Sequence, residues 1–99
     1  MNDFIDAIKH IEWYKNENRD YIFLDNCSLT SEDLQYLIEK YKNFFKNLTC
    51  LSLAGNDITY VPKSLNQLTK LIQLNLSDNP IKDIPSNLLK IKHFITTNN

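Results

Sequence analysis

The chain has 99 residues, 42% hydrophobic and 23% charged, with a net charge of −1, which is the size and balance of one globular domain with a single core. Near-neutral charge argues against nucleic-acid binding, where a clustered basic face is expected. The first residues carry Asp3 and Asp6 and lack the apolar run of a signal peptide or membrane span, so a cytoplasmic protein follows, with signal-peptide-independent secretion into a host cell as the alternative.

Residues from Asp3 to Asn16 read as a helix. Asn2 or Asp3 can cap it, and Phe4, Ala7, Ile8, Ile11 and Tyr14 recur at the spacing that places them on one face. Trp13 falls on the opposite side, among Asp6, Lys9 and His10, where nothing in the helix itself covers it. A polar connection follows, and then Tyr21 to Leu29, an irregular strand and turn with Ile22 and Leu24 facing inward. Thr30, Ser31, Glu32 and Asp33 form a capping signature, and Leu34, Leu37, Ile38, Tyr41, Phe44 or Phe45 and Leu48 mark one full amphipathic helix behind it.

From there the chain repeats itself. Leu48 to Ile58, LTCLSLAGNDI, returns 23 residues later as Leu71 to Ile81, LIQLNLSDNPI, with Asn56 and Asn79 in register. Val61-Pro62 recurs as Ile84-Pro85, and Leu65 and Leu68 recur as Leu88 and Ile91. In such a block the alternation around the central leucines is a short strand, and stacked units bury the leucines in a one-sided solenoid. The chain then turns sharply, and the side chain of Asn, with both donor and acceptor, can satisfy the stranded backbone. Asn56 and Asn79 are therefore structural. The proline-broken connections are too short for long helices, leaving a turn or a single helical coil on the convex side. In the last unit Thr97 and Asn99 occupy the positions that are Leu74 and Leu76 one repeat earlier, a polar ending to the sheet.

These blocks carry a resemblance. VPKSLNQLTKLIQLNLSDN and IPSNLLKIKHFITTNN look like the 23-residue class of leucine-rich repeats, and the longer first unit, with Cys27 and Leu29 in its turn, is similar to the ribonuclease-inhibitor class. The expected fold is α/β: a short leucine-rich repeat solenoid with a parallel concave sheet, forming a single domain over residues 1–99. Residues 1–18 are its N-terminal helical cap, and residues 19–99 hold three to four repeats. The resemblance implies protein binding through the concave face, in some members by covering an enzyme's active site. The abundance of lysine, asparagine and isoleucine also resembles small repeat effectors of bacterial pathogens.

The register lists the residues that face the concave side: Tyr21, Phe23 and Asp25, then Cys50, Ser52 and Ala54, then Gln73, Asn75 and Ser77, and in the last unit Thr96 and Asn98. Exposed aromatics on a strand gain little from folding alone. Tyr21 and Phe23, with Trp13 from the cap, therefore form a candidate anchor for a protein partner. The competing reading is that Trp13 folds over Phe23 as a private capping cluster. The expected protein-binding set is Trp13, Tyr21, Phe23, Asp25, Ser52, Gln73 and Asn75.

Chemistry of other kinds is poorly supplied. Cys27 and Cys50 lie too far apart by register to bridge, and they offer neither a zinc framework nor, without an adjacent base, a thiolate nucleophile. Asp57, Asp78 and Asp83 lack the continuous oxygen-rich loop of a calcium site. The expectation is a non-enzymatic, monomeric protein without cofactor or metal that binds another protein and neither nucleic acid nor membrane. It would act as an inhibitor or regulator of that protein, or else as a non-inhibitory scaffold or adaptor.

Overall fold

The computed structural model describes residues 3–97. Helix α1 (Asp3–Asn16) leads into strand β1 (Tyr21–Phe23). Helices α2 (Ser31–Lys40) and α3 (Lys42–Lys46) precede β2 (Cys50–Ser52), a 3-10 helix over Lys63–Gln67 precedes β3 (Gln73–Asn75), and a second over Ser86–Lys90 precedes β4 (His93–Ile95). The four strands form one parallel sheet in sequence order. Asn2, proposed above as an alternative cap, lies outside the described residues, as do Asn98 and Asn99.

The inward leucines do what the repeat requires. Ile22, Leu51 and Leu74 are in register across β1 to β3 and wholly buried, as are Leu24 and Leu53, with Leu76 almost so. The turns after β1 and β2 are each closed from the next repeat. Asn56 Oδ1 accepts from the backbone N–H of Cys27 and Leu29, both at 3.0 Å, while its Nδ2 donates to the carbonyls of Leu24 and Leu53. Asn79 accepts from the Ile58 N–H and donates to the carbonyls of Leu53 and Leu76. One turn position needs a left-handed backbone, and Asn26 (φ 56°), Gly55 (φ 68°) and Asp78 (φ 58°) fill it in successive repeats. Residues of these types tolerate that conformation best.

At the first end the core is thick. Thr30 accepts from the Asp33 N–H and Asp33 returns a carboxylate to the Thr30 N–H, fixing the start of α2 with a complete capping box. Ser31, fully buried, accepts from the N–H groups of Thr59 and Tyr60 and donates to the Tyr60 carbonyl, tying α2 to the second repeat. The single long helix expected there is broken. Tyr41 has φ −110° and ψ 45°, outside the helical range, and α3 restarts at Lys42. The break allows Tyr41, Phe45 and Leu48 all to be buried before the chain enters β2.

The last repeat corrects the expected register. Leu74 pairs with Phe94, 20 residues on, whereas Leu51 pairs with Leu74 at a distance of 23. The cause is the connection. Leu68 closes the first 3-10 helix five residues before β3, but Ile91 closes the second only two residues before β4. Thr97 therefore does not replace Leu74; half-buried Phe94 does, and His93 and Ile95 take the concave positions assigned above to Thr96 and Asn98.

Candidate protein-binding face

The concave surface is built from the outward residues of the four strands. Cross-strand pairing sets Tyr21 beside Cys50, Gln73 and His93, and Phe23 beside Ser52, Asn75 and Ile95. The first strand thus presents aromatic bulk, the second small side chains and the third carboxamides.

At the first strand the rings run on into the cap. Trp13 meets Tyr14 edge-on at 5.1 Å, Tyr14 meets Tyr21 at 5.6 Å, and Tyr21 meets Phe23 at 5.7 Å. These separations lie within the range for favourable ring contacts. Trp13 remains 54% exposed and Phe23 49% exposed. Trp13 thus packs on Tyr14, not over Phe23, and the outer faces of both rings meet solvent. Tyr14 is the member that sequence reasoning left out. Its place on the buried stripe concealed that it is only half-buried and bridges the cap to the sheet.

Asp25 stands exposed at the end of this run, yet it is held in place. Its Oδ1 accepts from Ser52 Oγ at 2.5 Å and from the Ala54 N–H at 3.0 Å. Those bonds take Ser52 out of the surface: it is 5% exposed and serves to orient Asp25. Gln73 is exposed, whereas Asn75 is half-buried and folds its Oδ1 back onto the Ser77 N–H and hydroxyl. Of the expected set, the structure gathers Trp13, Tyr21, Phe23 and Asp25 at one end. Gln73 and Asn75 lie two strands away.

Nothing here is arranged for nucleophilic chemistry. Cys27 and Cys50 are both free thiols. Burial pushes each up from its ordinary range, with Asp3, Asp25 and Asp6 adding to the effect at Cys27, and Asp20 and Asp25 at Cys50. A thiol so placed is a poor nucleophile at neutral pH. The Nδ1–H of His10 donates to its own helix at the Asp6 carbonyl. Among the described residues no cluster of His, Cys, Asp or Glu could hold a metal ion, and no helix is long and apolar enough to cross a membrane.

A stacked parallel sheet with Asn56 and Asn79 in register in successive turns is a repeat architecture, and the sequence comparison agrees. The family model "Leucine Rich repeats (2 copies)" matches residues 46–90, from the end of α3 through the second 3-10 helix. The chain is a leucine-rich repeat protein. Two curated relatives come from Dictyostelium discoideum. The probable serine/threonine-protein kinase roco9 is 39% identical over 67 residues, and the probable serine/threonine-protein kinase roco6 is 33% identical over 73. Those alignments take in 66% and 71% of this chain but only 2% and 3% of the kinases. The leucine-rich repeat fold makes the chain a protein–protein interaction module, and the aromatic end described above is its most distinctive exposed feature.

Proposed function

We propose that the protein binds one protein partner through its concave face and regulates it by occlusion, covering a cleft or active site without chemistry of its own. The observation that carries this reading is the run Trp13, Tyr14, Tyr21 and Phe23, half-exposed at one end of a face whose next two strands present small or polar side chains. Aromatic side chains of this kind dominate interface energetics, each worth about 2 kcal/mol or more when buried centrally. Asp25, pre-oriented by Ser52 and Ala54, adds a fixed acceptor beside the rings, and Gln73 and Asn75 extend the contact across the sheet. In this reading the protein is non-catalytic, cytoplasmic and monomeric until it meets its partner.

A scaffold role is the second reading, consistent with two matched relatives that are far larger chains in which the matching stretch is a small part. A bacterial effector delivered into a host cell remains part of the proposal on composition alone, and the matched relatives lend it no support.

The test is a pull-down with wild type beside a Trp13→Ala/Phe23→Asp variant shown to be folded, followed by an assay of the captured partner's activity. Loss of a stoichiometric partner in the variant supports docking at the aromatic end. Inhibition of that partner by wild type then supports occlusion, and an unchanged activity supports scaffolding. Equal capture by both proteins overturns the aromatic docking site.

A further inference from the structure

A net charge of −1 conceals a strongly bipolar molecule. Because the four strands are parallel, the sheet has one rim where strands begin and another where they end. Carboxylates collect where strands end: Asp25, Asp57 and Asp78 follow β1, β2 and β3, Asp3 accepts from Ser28 Oγ at 2.8 Å, and Glu32 and Asp33 open α2. Cations collect where strands begin. Arg19, Lys46, Lys70 and Lys92 precede the four strands in turn, and Lys15 and Lys40 close α1 and α2.

Helix dipoles account for part of this pattern, since cations are favoured at helix ends and carboxylates at helix starts. They do not account for Arg19, Lys70 or Lys92, and Lys42 opens α3, where a cation is disfavoured.

The basic rim also has relief. Two adjoining grooves of about 310 and 180 Å³ share Lys15, Asn43 and Phe44 in their walls; Arg19 and Asn47 line the larger, Lys40 and Lys42 the smaller. The carboxylates within reach are few. Asp20 lines the larger groove and accepts from Thr49 Oγ1 at 3.2 Å, Glu12 faces the Tyr41 hydroxyl, and Glu17 lies in the turn after α1. Asn47 is engaged, accepting from Lys70 Nζ at 2.8 Å. Half-buried Phe44 offers apolar surface among the cations.

We infer that this rim is a second interaction surface, built for an acidic polypeptide segment that carries an apolar side chain. Carboxylates of the segment meet Lys15, Arg19 and Lys42, and its apolar residue lies against Phe44. Charge complementarity selects the sign of the partner. The concave relief favours a peptide over a bilayer, which is gripped by protruding apolar groups. Arg19 is the chain's one arginine, whereas nucleic-acid recognition draws heavily on arginine. The inference is independent of the concave-face reading and concerns a different side of the molecule.

The experiment titrates isotope-labelled full-length protein with a synthetic hexapeptide of four glutamates, one leucine and one phenylalanine, followed by NMR. Parallel arms use the glutamine version of the peptide, phosphatidylserine vesicles and a short single-stranded oligonucleotide. The expected result is a selective shift of the Asn43 side-chain amide by the acidic peptide. Affinity should fall about tenfold in Lys42→Glu and in Arg19→Glu, and less than about twofold in Lys63→Glu, whose site lies beside a different groove. Thermal melts establish that the variants are folded. Equal affinity in all three variants, shifts confined elsewhere, or stronger binding to vesicles or oligonucleotide would overturn the inference.

Discussion

The two ends of the solenoid are built from the same repeat but to different depths. At the first end, α1, α2 and α3 back the sheet, and Ile11, Ile22, Leu37, Phe45 and Leu51 are wholly buried. At the far end, a five-residue 3-10 helix precedes β4, and Phe94, Ile84 and Ile91 are half-buried. In a stacked array each repeat is stabilised mainly by its neighbours, so thickness at one end does not transfer fully to the other. The difference teaches that the deep core and the exposed aromatic run are concentrated together in the first half of the chain.

The comparison can be broken most directly with paired phenylalanines. Phe45→Ala should destabilise the protein by about 3–5 kcal/mol, whereas Phe94→Ala should cost only about 1 kcal/mol, read as urea midpoints at constant slope. Equal losses would mean that the two ends are equally well packed. Next in size, Asn56→Ala should cost about 2–4 kcal/mol, because it strands the Cys27 and Leu29 N–H groups and two carbonyls. Hydrogen exchange should then show the loss of protection at Leu29 ahead of any loss at Leu76.

A smaller effect sharpens the comparison at the left-handed turn position. Gly55→Ala should cost about 1–2 kcal/mol, since φ is 68° and an added Cβ runs into Asn26 Oδ1. Asp78→Gly at the equivalent position removes the left-handed strain and should cost less than Gly55→Ala, as differential scanning calorimetry would show. The smallest effect is electrostatic. Cys50 has its thiol pKa raised above the ordinary 9.0 by burial, Asp20 and Asp25. The neutral thiol is therefore favoured in the folded state. Its contribution is fully present below pH 9.0 and is lost as pH rises through the folded value. Alkylation at pH 8 should accordingly be several-fold slower in folded than in urea-unfolded protein, and Asp25→Asn should recover part of the rate.

Much of this architecture is legible in the amino-acid sequence. The α1 stripe, the capping box at Thr30, the inward leucines and the roles of Asn56 and Asn79 follow from periodicity and donor–acceptor inventory, which are local in sequence. What was not legible depended on competition between distant contacts. Tyr41 breaks its helix so that Phe45 and Leu48 can reach the core, and no propensity marks that break. The last register depended on whether the chain would keep a period of 23 or shorten its connection to place Phe94 opposite Leu74, which burial decides. At the concave end, Phe23 and Trp13 were visible as aromatics out of pattern, but the linking role of Tyr14 and the removal of Ser52 into a bond with Asp25 are properties of side-chain geometry.

The asparagine bonds run in one direction. Asn56 reaches back to the turn after β1, and Asn79 reaches back to the turn after β2. Each turn is thus completed by residues translated after it. During synthesis on the ribosome, the turn holding Cys27 and Leu29 stays unlocked until Asn56 has cleared the exit tunnel, and the turn at Ile58 waits in the same way for Asn79. Assembly is therefore a ratchet whose teeth engage one repeat late, and a ribosomal pause placed between two repeats would leave the earlier one open for as long as it lasts.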